Sequence, residues 1–300
     1  MSLSLLWIPV TLVAAAAQTA RNATQRRLTE TIGTVGATQV RFLYGFPFAL
    51  LSLALLRLIG GEILPAVNPE FFAYVLAGAV SQILATGLML SAMRQRSFGV
   101  VTAYTKTEPV QVALFGLVLL GDHITPQIAM AIVIATAGVL VMSIKPGTDL
   151  KHAGLRPMIF GIASGAFFAL AAIGFRGAIL SLDQGSSVMR ATTTLAWGLG
   201  LQTAILVAWL GVFDRRALLA SFGAWRPSLG AGFLGALASQ FWFIGFALTT
   251  AANVRTLALV EVVMAQLVSQ RFMGHVTTRR ELAGMVLIIL GVGLLLLGQR

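Results

Sequence analysis

The chain has 300 residues, of which 57% are hydrophobic and only 10% charged, with a mean hydropathy of +0.88. A soluble domain carries about a quarter charged residues, so a water-soluble fold is excluded and a multi-pass membrane protein is expected. The net charge of +11 fits short loops facing cytoplasm and anionic lipid. A nucleic-acid partner is not expected, because no basic stripe with interleaved aromatics is present. The absence of cysteine removes disulfides, thiolate metal sites and cysteine catalysis.

Apolar stretches of about 18–25 residues can cross the ~30 Å hydrocarbon core as helices. Ten such stretches start near Leu3, Val35, Phe71, Gly99, Thr125, Met158, Ser187, Leu229, Arg255 and Leu282. Ala15–Ala17 imitates a signal-peptide cleavage site, but residues 1–7 carry no Lys or Arg, so the first stretch reads as an uncleaved helix. Short loops hold the turn residues, among them Gly60-Gly61, Gly121-Asp122 and Gly185. The longest polar connector, 145–156, falls at the midpoint.

The two halves resemble each other. Arg21 matches Arg176, Arg41 matches Arg190, Ser81-Gln82 matches Ser239-Gln240, Glu108 matches Glu261 and Gly138 matches Gly291. Their separations are 155, 149, 158, 153 and 153 residues, a near-constant offset. An odd number of helices per unit inserts the second copy upside down, a common scaffold of secondary transporters with the substrate site near the midplane. The expected fold is therefore an all-α integral membrane protein of ten transmembrane helices, built as two inverted five-helix repeats (1–147 and 148–300) around a central cavity. Counting Lys and Arg places twelve (Arg26, Arg27, Arg94, Arg96, Lys145, Lys151, Arg156, Arg215, Arg216, Arg226, Arg279 and Arg280) on one side, against Arg57, Arg255 and Arg300 on the other. The positive-inside rule then puts both termini outside.

Glu108, followed by Pro109, stands inside the fourth apolar run, and a charge at that depth reads by default as a functional site. On a helix turning ~100° per residue, Tyr104, Glu108, Gln111 and Phe115 share a stripe. The ring can stack, the acid attract an ammonium and the amide bond a carboxylate or carbonyl, which suits an amphipathic organic ligand. The other reading is that Glu108 pairs with Lys106, Arg41 or Arg190 and only fixes the bundle. Glu261 repeats the position in the ninth run; it either shares the cavity role, complements the positive end of its own helix, or pairs with Arg255. Gln82 and Thr86 on the third helix, Gln240 with Phe243 on the eighth, and Gln18 on the first are ligand contacts or interhelical glue. Asn22 and Gln25 fall nearer the interface. Trp7, Trp209 and Trp225 sit near helix ends as interfacial anchors. The three histidines are scattered over loops and suggest no metal set. No nucleotide-binding or hydrolytic motif occurs, so neither catalysis nor primary active transport is expected.

With Arg41-Phe42-Leu43, Glu108-Pro109, the stretch 120–125 (Leu-Gly-Asp-His-Ile-Thr), Gly138-Val139 and Gly291-Val292 in this order, the chain resembles the drug/metabolite transporter superfamily in its ten-helix form with two EamA-type repeats. Within it, the resemblance is closest to bacterial aromatic amino-acid exporters. It implies alternating access around a cavity lined by helices one, three, four, six, eight and nine, with Pro109 as a hinge. It further implies an inner-membrane protein working as a monomer on a small-molecule substrate, with the lipid bilayer around it and no cofactor. Two departures stand. The first helix lacks the acid of the small multidrug relatives, and Glu261-Val262 replaces the Glu-Pro pair in the second half. The family's termini are often drawn in the cytoplasm, opposite to the charge count.

Overall fold

The computed structural model describes residues 5–93, 101, 104–143, 155–273 and 277–298; for 22–35, 37, 265, 268, 269 and 271–273 it describes the backbone only. The helices, in order, are α1 Trp7–Leu43, α2 Phe46–Leu58, α3 Pro69–Met93, α4 Glu108–Leu119, α5 Pro126–Ser143, α6 Leu155–Leu180, α7 Ser187–Phe213, α8 Arg215–Gly223, α9 Trp225–Leu248, α10 Ala251–Leu257, α11 Val260–Met273 and α12 Arg279–Leu297. Among the described residues, seven helical stretches are long and apolar enough to cross a membrane: Thr38–Leu58, Pro69–Met93, Pro126–Ser143, Leu155–Leu180, Ser187–Phe213, Trp225–Leu248 and Arg279–Leu297. The protein is a multi-pass membrane protein.

Local chemistry sets many of the boundaries. Asn68 Oδ1 accepts from Phe71 N at 2.7 Å, Ser186 Oγ from Met189 N at 3.1 Å and Asp214 Oδ1 from Ala217 N at 3.0 Å, each capping the helix that follows. Pro126 opens α5 just after Thr125, whose hydroxyl accepts from Ile128 N. Thr278 and Glu281 form a reciprocal capping box at α12. Gly121 (φ 65) and Gly185 (φ 85) occupy the left-handed region at turns that an L side chain would strain.

The chain forms two compact units, Met1–Val80 with Gly174–Thr249, and Ser81–Ile173 with Thr250–Arg300. Each draws on both sequence halves, and α3 and α6 each contribute a segment to both. In the first unit glycines let backbones touch. A Cβ on Gly174 would lie 2.8 Å from Gly78 N, and one on Gly232 would lie 2.6 Å from the Tyr44 carbonyl. Tyr44 donates to the Ser221 and Phe222 carbonyls at 3.1 and 3.2 Å, tying the end of α1 to α8. Trp197 takes the edges of Phe71 and Phe72.

In the second unit α5 and α12 lie along each other, and their contacts are reciprocal. Gln127 donates to the Leu294 carbonyl at 3.2 Å, and Arg280 donates to the Val141 carbonyl at 2.9 Å. Gly138 faces Gly284 and Ile288, while Gly291 faces Ala131 and Ala135. Every residue here has its counterpart 153 positions away, as do the capping residues Thr125 and Thr278. That is the form a two-fold axis gives to a contact: i meets j′ and i′ meets j.

Several expectations change. The turn expected between the first two helices, at Arg26-Arg27, is helical backbone within α1; the break comes later, at Tyr44-Gly45, before Pro47 in the first turn of α2. No proline interrupts residues 21–43, and arginines do not break helices. A short additional helix, α8, fills the loop after α7. Trp7 is buried at 1% exposure rather than standing at an interface, whereas Trp209 and Trp225 are about half exposed. The 145–156 connector up to residue 154, together with Arg94, Arg96, Lys145, Lys151, His152 and His275, lies outside the described residues, as do the side chains of Asn22, Gln25, Arg26 and Arg27.

A methyl group at Gly138 would sit 2.7 Å from the Gly284 carbonyl oxygen, and one at Gly291 2.6 Å from Ala135 N. Gly138→Ala and Gly291→Ala should each destabilise the protein by about 1–3 kcal/mol through overpacking, read as a lower melting temperature in detergent. Gly293→Ala, where nothing lies within 4 Å, is the control and should not lower it. Equal melting of all three would mean that α5 and α12 do not meet as described.

Candidate functional site

Two helices of the second unit are interrupted at corresponding places. The run expected to be one helix from near Gly99 breaks at Lys106-Thr107. There Thr107 N donates to Tyr104 O at 3.3 Å and Val110 N to Thr107 O at 3.2 Å, the spacing of tight turns. Pro109 has no N–H, so the Thr105 carbonyl loses the donor a continuous helix would give it. The ninth run begins earlier than expected, at Ala251, and breaks at Ala258-Leu259. Leu259 N reaches Thr256 O at 3.1 Å, Glu261 N reaches Ala258 O at 2.9 Å and Val262 N reaches Leu259 O at 3.1 Å. No proline stands at this second break. Thr250 caps α10 through Asn253 N, and every residue of α10 except Arg255 is buried, so tertiary packing fixes where this short helix lies.

Each break is followed at once by a carboxylate, Glu108 in the first turn of α4 and Glu261 in the first turn of α11. Both acids thus stand at the positive ends of short helices. The acids take cations from each other's element. Arg255 Nε lies 3.2 Å from Glu108 Oε1, and Lys106 Nζ pairs with Glu261 Oε1. All four side chains are largely withdrawn from solvent: Lys106 is 21% exposed, Arg255 16%, and both acids 12%. Burial of this kind is tolerated because each charge has its partner; losing one partner would strand the other. The set is neutral overall, with two acids and two bases joining α4 to α10 and α11.

Lys106, which the sequence places about 200° around its helix from Glu108, pairs with Glu261, and Arg255 lies against Glu108. Arg190 lies in the first unit and donates to the Leu182 carbonyl at 3.3 Å. Arg255, placed by the sequence at the start of the ninth helix on the side opposite the basic loops, lies in the last turn of α10 and joins the ion-pair set. The available signal was the 153-residue offset. It carries Lys106 to Leu259, and Arg255 stands one helical turn before that position.

The remaining candidates divide between the units. In the second unit, with Glu108 and Glu261, are Tyr104, Gln111 and Pro109. Gln111 Nε2 donates to Thr107 Oγ1 at 3.1 Å, and the Thr107 hydroxyl donates to the Tyr104 carbonyl at 2.7 Å. Gly161 of α6 allows the half-buried Tyr104 to approach, since a Cβ there would lie 2.6 Å from Tyr104 Cβ. Gln82 and Thr86 are also in this unit; Thr86 is buried and its hydroxyl donates back to the Gln82 carbonyl at 2.9 Å. In the first unit Gln18 Oε1 accepts from Trp242 Nε1 at 3.1 Å, and Gln240 Nε2 donates to Thr192 Oγ1 at 2.7 Å. Phe243 is buried against Phe175, ring centroids 4.7 Å apart.

Residues 5–144 match the EamA-like transporter family, so the first part of the chain carries that family's domain. No curated protein matches the chain by sequence. A solved crystal structure, titled only as that of a protein, shares the fold with a TM-score of 0.75 at 14% identity, covering 99% of each chain.

The crossed pairs predict a definite pattern in a mutant cycle. Lys106→Gln or Glu261→Gln alone should cost about 3–5 kcal/mol by leaving one buried charge unpaired. The double variant should recover most of that loss in thermal unfolding. Losses that merely add in the double variant would show that the two residues do not depend on each other.

Proposed function

With an EamA-like transporter domain over residues 5–144 of a multi-pass membrane chain, we propose that this protein is a secondary transporter. Its substrates are amino acids, aromatic and other hydrophobic ones included, which it exports across the bacterial inner membrane by alternating access. The observation that carries the reading is the neutral set of crossed ion pairs at two broken helices. Discontinuous helices whose ends meet charged substrate groups are the recurring substrate-site design of secondary transporters. A zwitterion brings one ammonium and one carboxylate, so it can take the place of one internal pair without adding net charge to a buried site. Tyr104 offers a half-buried ring beside the first break for an apolar or aromatic side chain.

Substrate exchange for an internal ion pair also supplies what alternating access needs, a contact that differs between empty and loaded states. Pro109 and the tight turns at both breaks are the hinges of this motion. The reciprocal α5–α12 contacts and the matched breaks support an inverted-repeat construction, with five helices per repeat. Gln18, Gln82, Thr86, Gln240 and Phe243 are the further candidate contacts of this reading.

A rival within the superfamily is a drug or an anionic metabolite such as a nucleotide sugar. Two cations near one another favour it, but both already hold carboxylates. A diphosphate would add negative charge to a set that contains two acids, so charge balance favours the zwitterion. A non-transporting structural or regulatory membrane protein is the reading from outside the class, and a melting shift on adding amino acids would tell against it.

The direct test is uptake of labelled L-phenylalanine into proteoliposomes, with unlabelled amino acids as competitors and with or without a pH gradient. Saturable uptake blocked by a subset of amino acids is expected, and its response to the gradient separates exchange from proton-driven export. Glu108→Gln should lower that uptake by about tenfold or more, because it removes the charge that neutralises Arg255. No uptake above empty liposomes by folded protein would overturn the amino-acid reading.

A further inference from the structure

The short helix α8 is amphipathic in the opposite sense to a helix on a soluble surface. The side chain it buries is polar: Ser221, whose hydroxyl donates to the Leu218 carbonyl at 2.7 Å. Its outward side chains are large and apolar, with Leu219 70% exposed and Phe222 about half exposed. The apolar exposure continues beyond both ends, at Val212 and Phe213 closing α7 and at Trp225 opening α9. A helix of about 13 Å is too short to cross a bilayer, but α8 joins two helices that are long enough, α7 and α9. It therefore lies at one boundary of the membrane. Arginines share this surface. Arg215 and Arg216 open α8 and Arg226 follows Trp225, all three exposed. Arg215 Nε donates to the Gly211 carbonyl at 2.9 Å, which anchors its guanidinium on the end of α7. Arg226 lies over the Trp225 ring, 5.3 Å from its centroid. From residue 184 to 260 the only acid is Asp214, and its carboxylate caps α8 by accepting from Ala217 N at 3.0 Å. The first turn of α8 is thus cationic at the positive end of the helix dipole, a place that favours an anion.

Outward apolar and aromatic side chains need an apolar neighbour, whereas guanidinium groups need water or an anion. The headgroup layer of a bilayer supplies both within the length of one short helix. We propose that α8 and the start of α9 form a binding site for an anionic phospholipid. Arg215, Arg216 and Arg226 receive the headgroup phosphate, while Leu219, Phe222 and Trp225 lie against the glycerol and upper acyl chains. The positive-inside count assigns these arginines to the cytoplasmic leaflet, whose surface is negative. A soluble anion would use the arginines and leave the apolar side chains in water, so charge and hydrophobicity together select the lipid. The site does not depend on the amino-acid reading. It is tied to the rest of its unit through Tyr44, at the break between α1 and α2, whose hydroxyl donates to the Ser221 and Phe222 carbonyls. A lipid that holds α8 in place thereby holds that junction as well.

The experiment measures quenching of tryptophan fluorescence in the full-length protein reconstituted into mixed bilayers. Bromine is carried on the acyl chains of either phosphatidylglycerol or phosphatidylcholine. The variants are Arg215, Arg216 and Arg226 changed together to Gln, the same three changed to Lys, Trp225→Phe, and Arg279→Gln, an exposed arginine of the second unit. A melting curve of each variant in phosphatidylcholine establishes that it is folded. The wild type should prefer phosphatidylglycerol by about tenfold or more, and the triple Gln variant by less than about threefold. The triple Lys variant and Arg279→Gln should keep the preference, and Trp225→Phe should remove most of the preferential quenching. Should the triple Gln variant fail to fold, Arg226→Gln alone should lower the preference by about threefold or more. No preference in the wild type, or one unchanged in the Gln variants, overturns the site. An equal loss in Arg279→Gln would assign the effect to diffuse surface charge and likewise overturn it. Inorganic phosphate or glycerol 3-phosphate abolishing the preference would make the arginines a soluble-anion site and remove the lipid assignment.

Discussion

A buried charge must be neutralised where it stands, and in the second unit four of them are neutralised across two interrupted helices. Much else in that unit follows from this requirement. The breaks bring two first-turn carboxylates, Glu108 and Glu261, to the starts of short helices. The cations come from the opposite element in each case, so neither helix can shift along the other without stranding a charge. The arrangement is stable only as a set.

The surrounding framework is rigid by different means. Between α5 and α12, glycines bring backbones within touching distance and two side chain–carbonyl bonds fasten the ends, each contact mirrored 153 residues away. Small residues at helix crossings give close dispersion contact where lipid supplies no hydrophobic drive for association. The same device seats the first break on α6, at Gly161 and Gly165. Rigid crossings beside helices held only by turn-type hydrogen bonds leave the breaks as the places where the backbone can change.

The two breaks are alike in some features and unlike in others. The carboxylate, the interruption and the flanking α5–α12 contact recur. The proline, the hydroxyls and the amide do not. Pro109 makes the first break a consequence of covalent structure, whereas the second, with Val262 at that position, is held by the buried packing of α10. Where the first break has Thr105, Thr107 and Gln111, the second has Ala258, Val260 and Met264.

Composition alone made this a membrane protein, because 57% hydrophobic and 10% charged residues leave too little polar surface for a soluble domain. The sequence also determined which acids to notice, since Glu108 and Glu261 lie in apolar runs at a repeat-like spacing, and it placed the α5 and α12 glycines by the same offset. It did not determine which cation meets which acid. Glu108 had Lys106, Arg41 and Arg190 as candidate cations in the sequence, and the cation that lies against it is Arg255. Partner choice depends on how two helices lie side by side, which no spacing within one helix encodes. For the same reason the proline-free break, the burial of Trp7 and the helical course of α1 through Arg26-Arg27 belong to tertiary structure: each is decided by neighbours distant in sequence.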